Sequence, residues 1–465
     1  MTNGKVIWPP HPYKAGFCVT DDTDAATFEQ ITAVYDFLSS RHFLTTKTVW
    51  PFEPSDNCGI PPAPASTLRG VTLQDARYLD YCKKLRAMGY ELCLHGASAG
   101  NNLRESTRKA LEFLQRELGP SDTFICHSKN AENIYWNEKI TSLFPFHQLL
   151  KAFSGFECSG ETRTSPYFWG DMCRIAVNQI RLYRTRRINT LKKNPSMPYH
   201  CRQRPLVNGW FSATKRSLAD CAGKEEQERL IRENGLTVLY QYLHRYAGPN
   251  GGSLKRSFTD AVESLLSNNA LRIDTVSNTM KRLRLIQGVF ILHERNRFWI
   301  VNTNTTPVDS LQVVFDRPVH LTSDLCAIET YHDTATIANL PANSIVRIVS
   351  DGAIALRGRR CFALTGRNLV RQKFEGATLY VNLSDSQWQA SNGISVKPAS
   401  FFLDAELSGT GFPLLSNLPL TEEVSLLLGQ IWIIAREVLF KGRSLNSKKY
   451  LDDSKEILLE NHDNW

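Results

Sequence analysis

Two rhythms divide this chain, and they constrain its fold more than any single residue does. Over the first 287 residues, apolar runs of strand length alternate with segments of helical period. Lys14 to Thr20 is a short apolar run; Phe28, Ile31, Val34, Tyr35 and Leu38 then recur at helical spacing. Thr45 to Trp50 reads as the next strand. After a Pro-rich loop (Pro51 to Pro64), Thr72 is expected to cap a helix that buries Ala76, Leu79, Cys82 and Leu85 and stops at Gly89. Tyr90 to Leu94 and Thr123 to Cys126 are further strands, with a helix from Leu103 to Leu118 between them. Leu236 to Leu243 and Leu271 to Val276 repeat the pattern, with helices from Arg256 to Ser267 and on to about Leu285. Repeated strand–helix units predict a parallel α/β fold, either a barrel or a doubly wound sheet.

From about Gln287 the helical period disappears. Val289–Leu292, Arg297–Val301, Leu311–Phe315, Ser344–Val349 and Ala377–Leu383 are short β-branched runs parted by turn residues, the signature of an antiparallel sandwich. The predicted partition is therefore 1–290 for the α/β domain, 291–410 for an all-β sandwich-like accessory domain and 411–465 for a helical tail. At 465 residues the chain is long enough for a large barrel and an accessory domain. Met1 to Lys14 lacks the apolar core of a secretory signal, and the run from Val424 to Ala435 is too short to span a bilayer. Eleven cysteines without a C-x-x-C pair suit a reducing compartment, so a soluble, cytoplasmic protein is expected.

Chemistry gathers at the ends of the strands. Gly16-Phe17-Cys18-Val19-Thr20-Asp21-Asp22-Thr23-Asp24 places three acids directly after an apolar strand. In a parallel βα fold that position is the C-terminal mouth, where sites assemble. Adjacent carboxylates repel unless cations divide them. Three more strands end in histidine: Tyr90–Gly96 delivers His95, Phe124–Ser128 delivers His127, and Val238–His244 delivers His244. Alone, the acids read as a capped turn, and each histidine reads as structural. Together at strand ends, they form the imidazole and carboxylate set that metal sites on such folds use.

The acid cluster resembles the first motif of the polysaccharide deacetylase (NodB-homology) family, written T-F-D-D-G. Residues 6–287 carry the resemblance. It implies a distorted (β/α) barrel and a divalent metal, Zn²⁺ being the expected ion, with Co²⁺ and Ni²⁺ compatible with the same donors. Residue by residue it makes Asp21 the general base, Asp22 and His95 metal ligands, and His244, in a late L-x-H-like motif, the general acid. Trp210 falls where the family often has an aromatic wall. The chain departs from the pattern in two places. The second histidine of the H-[ST]-x-x-H motif is replaced by Ala99, and no R-x-P-Y motif follows; His127-Ser128-Lys129-Asn130-Ala131-Glu132-Asn133 stands in its place. His127 is therefore expected to supply the missing imidazole.

The activity so implied is metal-assisted hydrolysis of an acyl group, most simply the acetamide of a sugar in a polysaccharide or glycolipid. The alternatives are another C–N hydrolase on the same fold and a catalytically inactive carbohydrate-binding protein. Ser165–Asp171 contains Trp169, expected to join Trp210 in a sugar-stacking wall or else to lie in the core. The net charge of +9 is concentrated between Arg174 and Arg204, where nine Lys or Arg occur without an acid. This stretch, 174–204 with Arg184 and Arg187 foremost, is expected either to be a solvated face or to recruit an anionic glycoconjugate, with contact to a membrane surface as a further use. No nucleic-acid partner is expected.

Overall fold

The computed structural model describes residues 1–55, 69–153, 157–201, 203–364, 366, 368–374, 377–408, 411 and 413–444. The chain divides into two compact units: Gly16–Thr279 with Leu418–Trp465, and Met1–Ala15 with Met280–Asn417.

The first unit is a parallel barrel. After β1 (Thr2–Ile7), which belongs to the other unit, come β2 (Ala15–Asp21), β3 (Thr46–Val49), β4 (Glu91–Leu94), β5 (Thr123–Phe124), β6 (Gln179–Thr185), β7 (Trp210–Thr214) and β8 (Leu236–Gln241). Their order around the sheet is their order in the chain. β2 pairs in parallel with both β3 and β8, which closes seven strands into a ring. A short β9 (Leu271–Ile273) lies against β2. The C-terminal ends of all seven ring strands therefore face one way, and the expected histidines and acids sit there.

Helices between the strands bury one face each, though in the second the face is turned from the expected one: Ala76 is exposed and Leu79 half-buried. α1 (Phe28–Ser39) buries Ile31, Val34, Tyr35 and Leu38, and starts in a capping box between Thr27 and Gln30. α2 (Ala76–Ala87) buries Tyr78, Cys82 and Leu85, but its cap is Asp75, whose carboxylate accepts the Arg77 N–H; Thr72 lies upstream.

Ring closure depends on a narrow seam. β2 and β3 share only two register pairs, Thr20 with Thr46 and Asp21 with Lys47. At the second, the side chains form a buried ion pair, Lys47 Nζ to Asp21 Oδ2 at 3.1 Å, with both side chains at most 2% exposed. The Tyr35 hydroxyl donates to the same oxygen at 2.9 Å, and the Leu243 N–H donates to Oδ1 at 2.7 Å. One carboxylate thus ties α1, β3 and the segment after β8 to β2.

The second unit contains a sandwich of two five-stranded sheets, and beside them a three-stranded sheet (Leu369–Phe374, Ala377–Asn382 and Ser400–Ala405), where the expected run Ala377–Leu383 falls, and a two-stranded one. One contains β1 with β12 (Leu311–Phe315), β14 (Ile328–Tyr331), β15 (Thr334–Ile337) and β17 (Ile354–Arg357). The other contains β10 (Val289–Glu294), β11 (Arg297–Asn302), β13 (Leu321–Thr322), β16 (Ser344–Ser350) and β18 (Cys361–Ala363). Phe298, Ile300, Val346 and Ile348 of one sheet bury against the same core as Val313, Phe315, Ile337 and Leu356 of the other. Pairing is antiparallel except for β1 with β17 and β10 with β18.

The linear partition differs from the compact units at both ends. The first fifteen residues, expected within the α/β domain, belong to the sandwich, because β1 pairs with β12 and β17 some 300 residues away. Gly4 permits this: a Cβ there would lie 2.7 Å from Phe315 and Leu356 side-chain atoms. The tail expected from 411 onward divides at Asn417. Its helix Leu420–Ser444 packs on the barrel unit, with Leu427 fully buried and Glu422 accepting from Ser196. Residues 445–465, expected within the helical tail, lie outside the described residues.

The seam makes a prediction. Lys47→Met leaves the Asp21 carboxylate buried without its cation and should cost about 3–5 kcal/mol in denaturant unfolding. The double variant Asp21→Asn, Lys47→Met should recover most of that loss; equal losses would show that the pair does not hold the seam.

Candidate metal centre

Three donor groups meet at the barrel mouth: Asp24, His95 and His127, with one ligand atom of each lying within 4.8 Å of the others. His95 follows β4, His127 lies three residues past β5, and Asp24 three residues past β2. His95 Nε2 is 3.0 Å and His127 Nε2 3.7 Å from Asp24 Oδ1. Both imidazoles are 1% exposed, and Trp50, directly after β3, packs on both: stacked on His95 at 5.8 Å and edge-on to His127 at 5.3 Å.

The far nitrogens settle the tautomers. His95 Nδ1 is 2.6 Å from the Ile125 carbonyl, which can only accept, so Nδ1 carries the proton. His127 Nδ1 is 2.8 Å from Asn130 Oδ1. The Asn130 amide nitrogen donates to the Gly100 carbonyl at 2.8 Å and to Glu132 Oε1 at 2.9 Å, so its oxygen faces the imidazole and accepts. His127, when neutral, therefore turns a bare Nε2 lone pair toward Asp24, and a protonated His95 donates from Nε2 to Asp24 Oδ1 at 3.0 Å. His127 Nε2 has no hydrogen-bond partner although it is buried. A buried lone pair facing a carboxylate is unfavourable unless a proton or a cation lies between them. Two imidazoles and one carboxylate, each ring anchored through its other nitrogen, are a donor set that fits a divalent metal.

The electrostatics favour a proton on His95 in the metal-free site, which a bound metal would displace. Burial alone would raise the Asp24 carboxyl, but His127 and His95 beside it hold it well below the usual carboxylate range. Burial would lower His95, yet the Asp22 and Asp24 charges raise it; His127 is lowered, mainly by burial.

Asp22, expected as a ligand, is held elsewhere. Arg181 on β6 donates to both its oxygens, at 3.1 and 2.9 Å, and lies over the Tyr240 ring at 4.2 Å. The nearer approach of Asp22 to His95 Nε2 is 4.0 Å. Asp21, expected as general base, has both oxygens taken by Tyr35, Lys47 and Leu243. The reason is strand geometry: neighbouring side chains on a strand point to opposite faces. Asp21 turns toward α1, Asp22 turns across the ring to β6, and Asp24 lies past the strand end beside the histidines.

His244 is 6% exposed, its Nδ1 has no partner, and its ring stands edge-on to Tyr242 at 6.2 Å. Burial pushes its pKa down to about 4; Asp21 and Asp24 oppose that, while Arg245 and Lys47 add to it. The ring is therefore uncharged at neutral pH. The Tyr242 hydroxyl, half-buried at the mouth, lies 3.3 Å from Asp24 Oδ2 and 2.5 Å from the Tyr240 hydroxyl.

Neither expected stacking residue faces solvent. Trp169 is fully buried, with Nε1 donating to the Glu132 carbonyl at 2.6 Å and its ring edge-on to Phe124. Trp210 is buried between Tyr135 and Tyr199. The basic stretch is not one solvated band either. Arg181 is the inward partner of Asp22, Lys192 pairs with Glu233, and Arg186 lies over Trp432 of the C-terminal helix. Arg184 is half-buried, its backbone N–H bound to Gln430; Arg187 is exposed; Arg202 lies outside the described residues. The positions of Arg181, Trp50, Tyr242 and Asp24 at the mouth were not expected from the sequence. Only Arg181 carried a usable signal, being the one cation flanked by apolar residues within a strand-like run, Gln179–Thr185.

No family model matches the chain, and no curated protein matches it. Among solved structures it is similar to Agd3, described as a novel carbohydrate deacetylase, at 11% identity and TM-score 0.37, over 74% of this chain and 66% of that one. It is also similar to Puue allantoinase, at 11% identity and TM-score 0.33, over 59% of this chain and 94% of that one. A third is a probable polysaccharide deacetylase from Pseudomonas aeruginosa PAO1, at 9% identity and TM-score 0.33, over the same 59% and 94%. Among the described residues no helix is long and apolar enough to cross a membrane, and the ten described cysteines are free thiols.

The lowered His244 pKa has a measurable consequence. Below pH ~6.5 the unfolded chain takes up a proton on this residue that the folded chain refuses until pH ~4, so stability falls as pH drops through that window. The loss is on the order of 3 kcal/mol. His244→Gln should flatten the decline between pH 6.5 and 4 in pH-resolved unfolding; an unchanged slope would refute the assignment.

Proposed function

We propose that the barrel unit is a divalent-metal-dependent hydrolase that removes an acyl group, an acetyl on a sugar nitrogen being the expected case. The observation that carries this reading is the convergence of Asp24 Oδ1, His95 Nε2 and His127 Nε2 with both far imidazole nitrogens already committed. Asp24, His95 and His127 would hold the metal; Zn²⁺ accepts two imidazoles and one carboxylate and keeps a position open in such sites. When bound, the metal supplies a Lewis acid that polarises the acyl oxygen and acidifies the attacking water.

The chain's own residues supply the rest. Asp22 is the general base in this proposal, since Asp21 is enclosed and Asp22 lies beside the donors. Arg181 fixes the orientation of the Asp22 carboxylate, which in this proposal takes the proton of the attacking water. With His244 uncharged, the same carboxyl would pass that proton on to the leaving amine. The Tyr242 hydroxyl, near Asp24, is placed to donate a hydrogen bond to the oxygen on which charge develops. The sugar as substrate rests on the motif resemblance, and the half-buried Tyr240 and Tyr242 rings give the mouth apolar faces on which a sugar could pack.

Purified protein should bind about one equivalent of Zn²⁺, lost on Asp24→Ala or His95→Ala, and should release acetate from N-acetylated oligosaccharides. Asp22→Asn should keep the metal yet slow the reaction by ~10²–10⁴-fold. Near-normal turnover by Asp22→Asn would remove this assignment.

A further inference from the structure

Where the family resemblance calls for an R-x-P-Y motif, this chain has His127–Asn133, and it includes a buried carboxylate with no role so far. Glu132 is 1% exposed, and no cation lies against it among the described residues. Its oxygens meet only N–H donors: the Asn102 backbone N–H at 3.1 Å on Oε2, and Asn102 Nδ2 at 2.6 Å and Asn130 Nδ2 at 2.9 Å on Oε1. Its backbone is pinned as well. The Glu132 carbonyl accepts from Trp169 Nε1, and a Cβ on Gly160 would fall 2.0 Å from that carbonyl oxygen. Burying a carboxylate this deeply is costly unless it serves something nearby.

What it touches is the amide that touches His127. A primary amide has two nearly isosteric orientations, and His127 responds oppositely to them. With Oδ1 toward the ring, Nδ1 bears the proton and Nε2 is a lone pair. With Nδ2 toward the ring, Nδ1 must accept and Nε2 carries the proton, which would point at Asp24 and block a cation. Glu132 Oε1 and the Gly100 carbonyl, both pure acceptors, hold Nδ2 away from the ring.

We propose that Glu132, acting through Asn130, is a positioning residue that fixes His127 in its metal-ligating tautomer and thereby compensates for the histidine absent at Ala99. The inference rests on the metal-site reading above. Asn102, on the loop that begins after His95, joins the same carboxylate, so one group braces the approaches to both imidazoles.

The test is Zn²⁺ affinity, by chelator competition on the full chain, for wild type, Glu132→Gln, Asn130→Ala, their double variant and Glu91→Gln. Glu91 is a second buried carboxylate whose partners are Thr46 and Ser277, and it makes no contact with the donors. Glu132→Gln sets an amide N–H against a donor and should weaken binding about 10–100-fold, the usual cost of losing such a partner. Asn130→Ala should match it, and the double variant should be no weaker than Asn130→Ala alone. Glu91→Gln should lower the melting temperature of the metal-free protein without changing affinity. Tight binding by Glu132→Gln, or additive losses in the double variant, would overturn the inference while leaving the metal site intact. Absence of Zn²⁺ from wild-type protein would overturn the site and the inference together. Should Glu132→Gln fail to fold, the Asn130→Ala arm decides alone, unchanged affinity there overturning the inference.

Discussion

Three carboxylates within four positions cannot share one small volume uncompensated, and the barrel mouth is organised around dividing them. Asp21 is matched by Lys47 across the seam that closes the ring, Asp22 by Arg181 from the opposite wall, and Asp24 by two imidazoles. The first pairing is structural and the third is the candidate metal centre. The second stands between them, a carboxylate gripped by one arginine within reach of the site but not enclosed by backbone donors. Opposite-facing neighbours at the end of β2 make the division possible, and the turn before α1 carries Asp24 clear of both.

The division also explains why the two protein cations are buried. Lys47 and Arg181 would each be costly inside a barrel alone. Each lies against a single acid, and Arg181 gains a second contact over the Tyr240 ring. The histidines are treated differently: neither meets a protein cation, and both commit their far nitrogen to an acceptor, Ile125 O or Asn130 Oδ1. Asp21 and Asp22 are thus each paired with a fixed protein cation, whereas Asp24 faces only imidazoles. A bound cation would complete the pattern there.

Much of this was legible in the sequence, because it depends on local periodicity. The strand–helix rhythm up to Gln287 and the β-branched runs beyond it correspond to a closed barrel and a sandwich. Histidines placed directly after apolar runs, His95 and His127, meet at the mouth because parallel strands end on one side. What was not legible depends on partners far along the chain. Nothing local shows that Thr2–Ile7 pairs with Leu311–Phe315, or that Leu420–Ser444 returns to the barrel. A motif can locate an acid cluster, but which acid faces which wall depends on where the strand ends and on an arginine some 160 residues away. The run from Arg174 to Arg204 contains no acid, yet its members pair with Asp22 and Glu233, so local charge counting overstated its exposure.

Which carboxylate joins the two histidines decides what the barrel mouth can bind. The most direct measurement is a crystal of the full chain soaked with Zn²⁺, with anomalous difference density collected at the zinc edge. One strong peak should lie about 2.0–2.2 Å from Asp24, His95 and His127, with the Asp22–Arg181 pair intact. A peak ligated by Asp22, with Arg181 displaced, or crystals of active protein without a peak at the mouth, would contradict it.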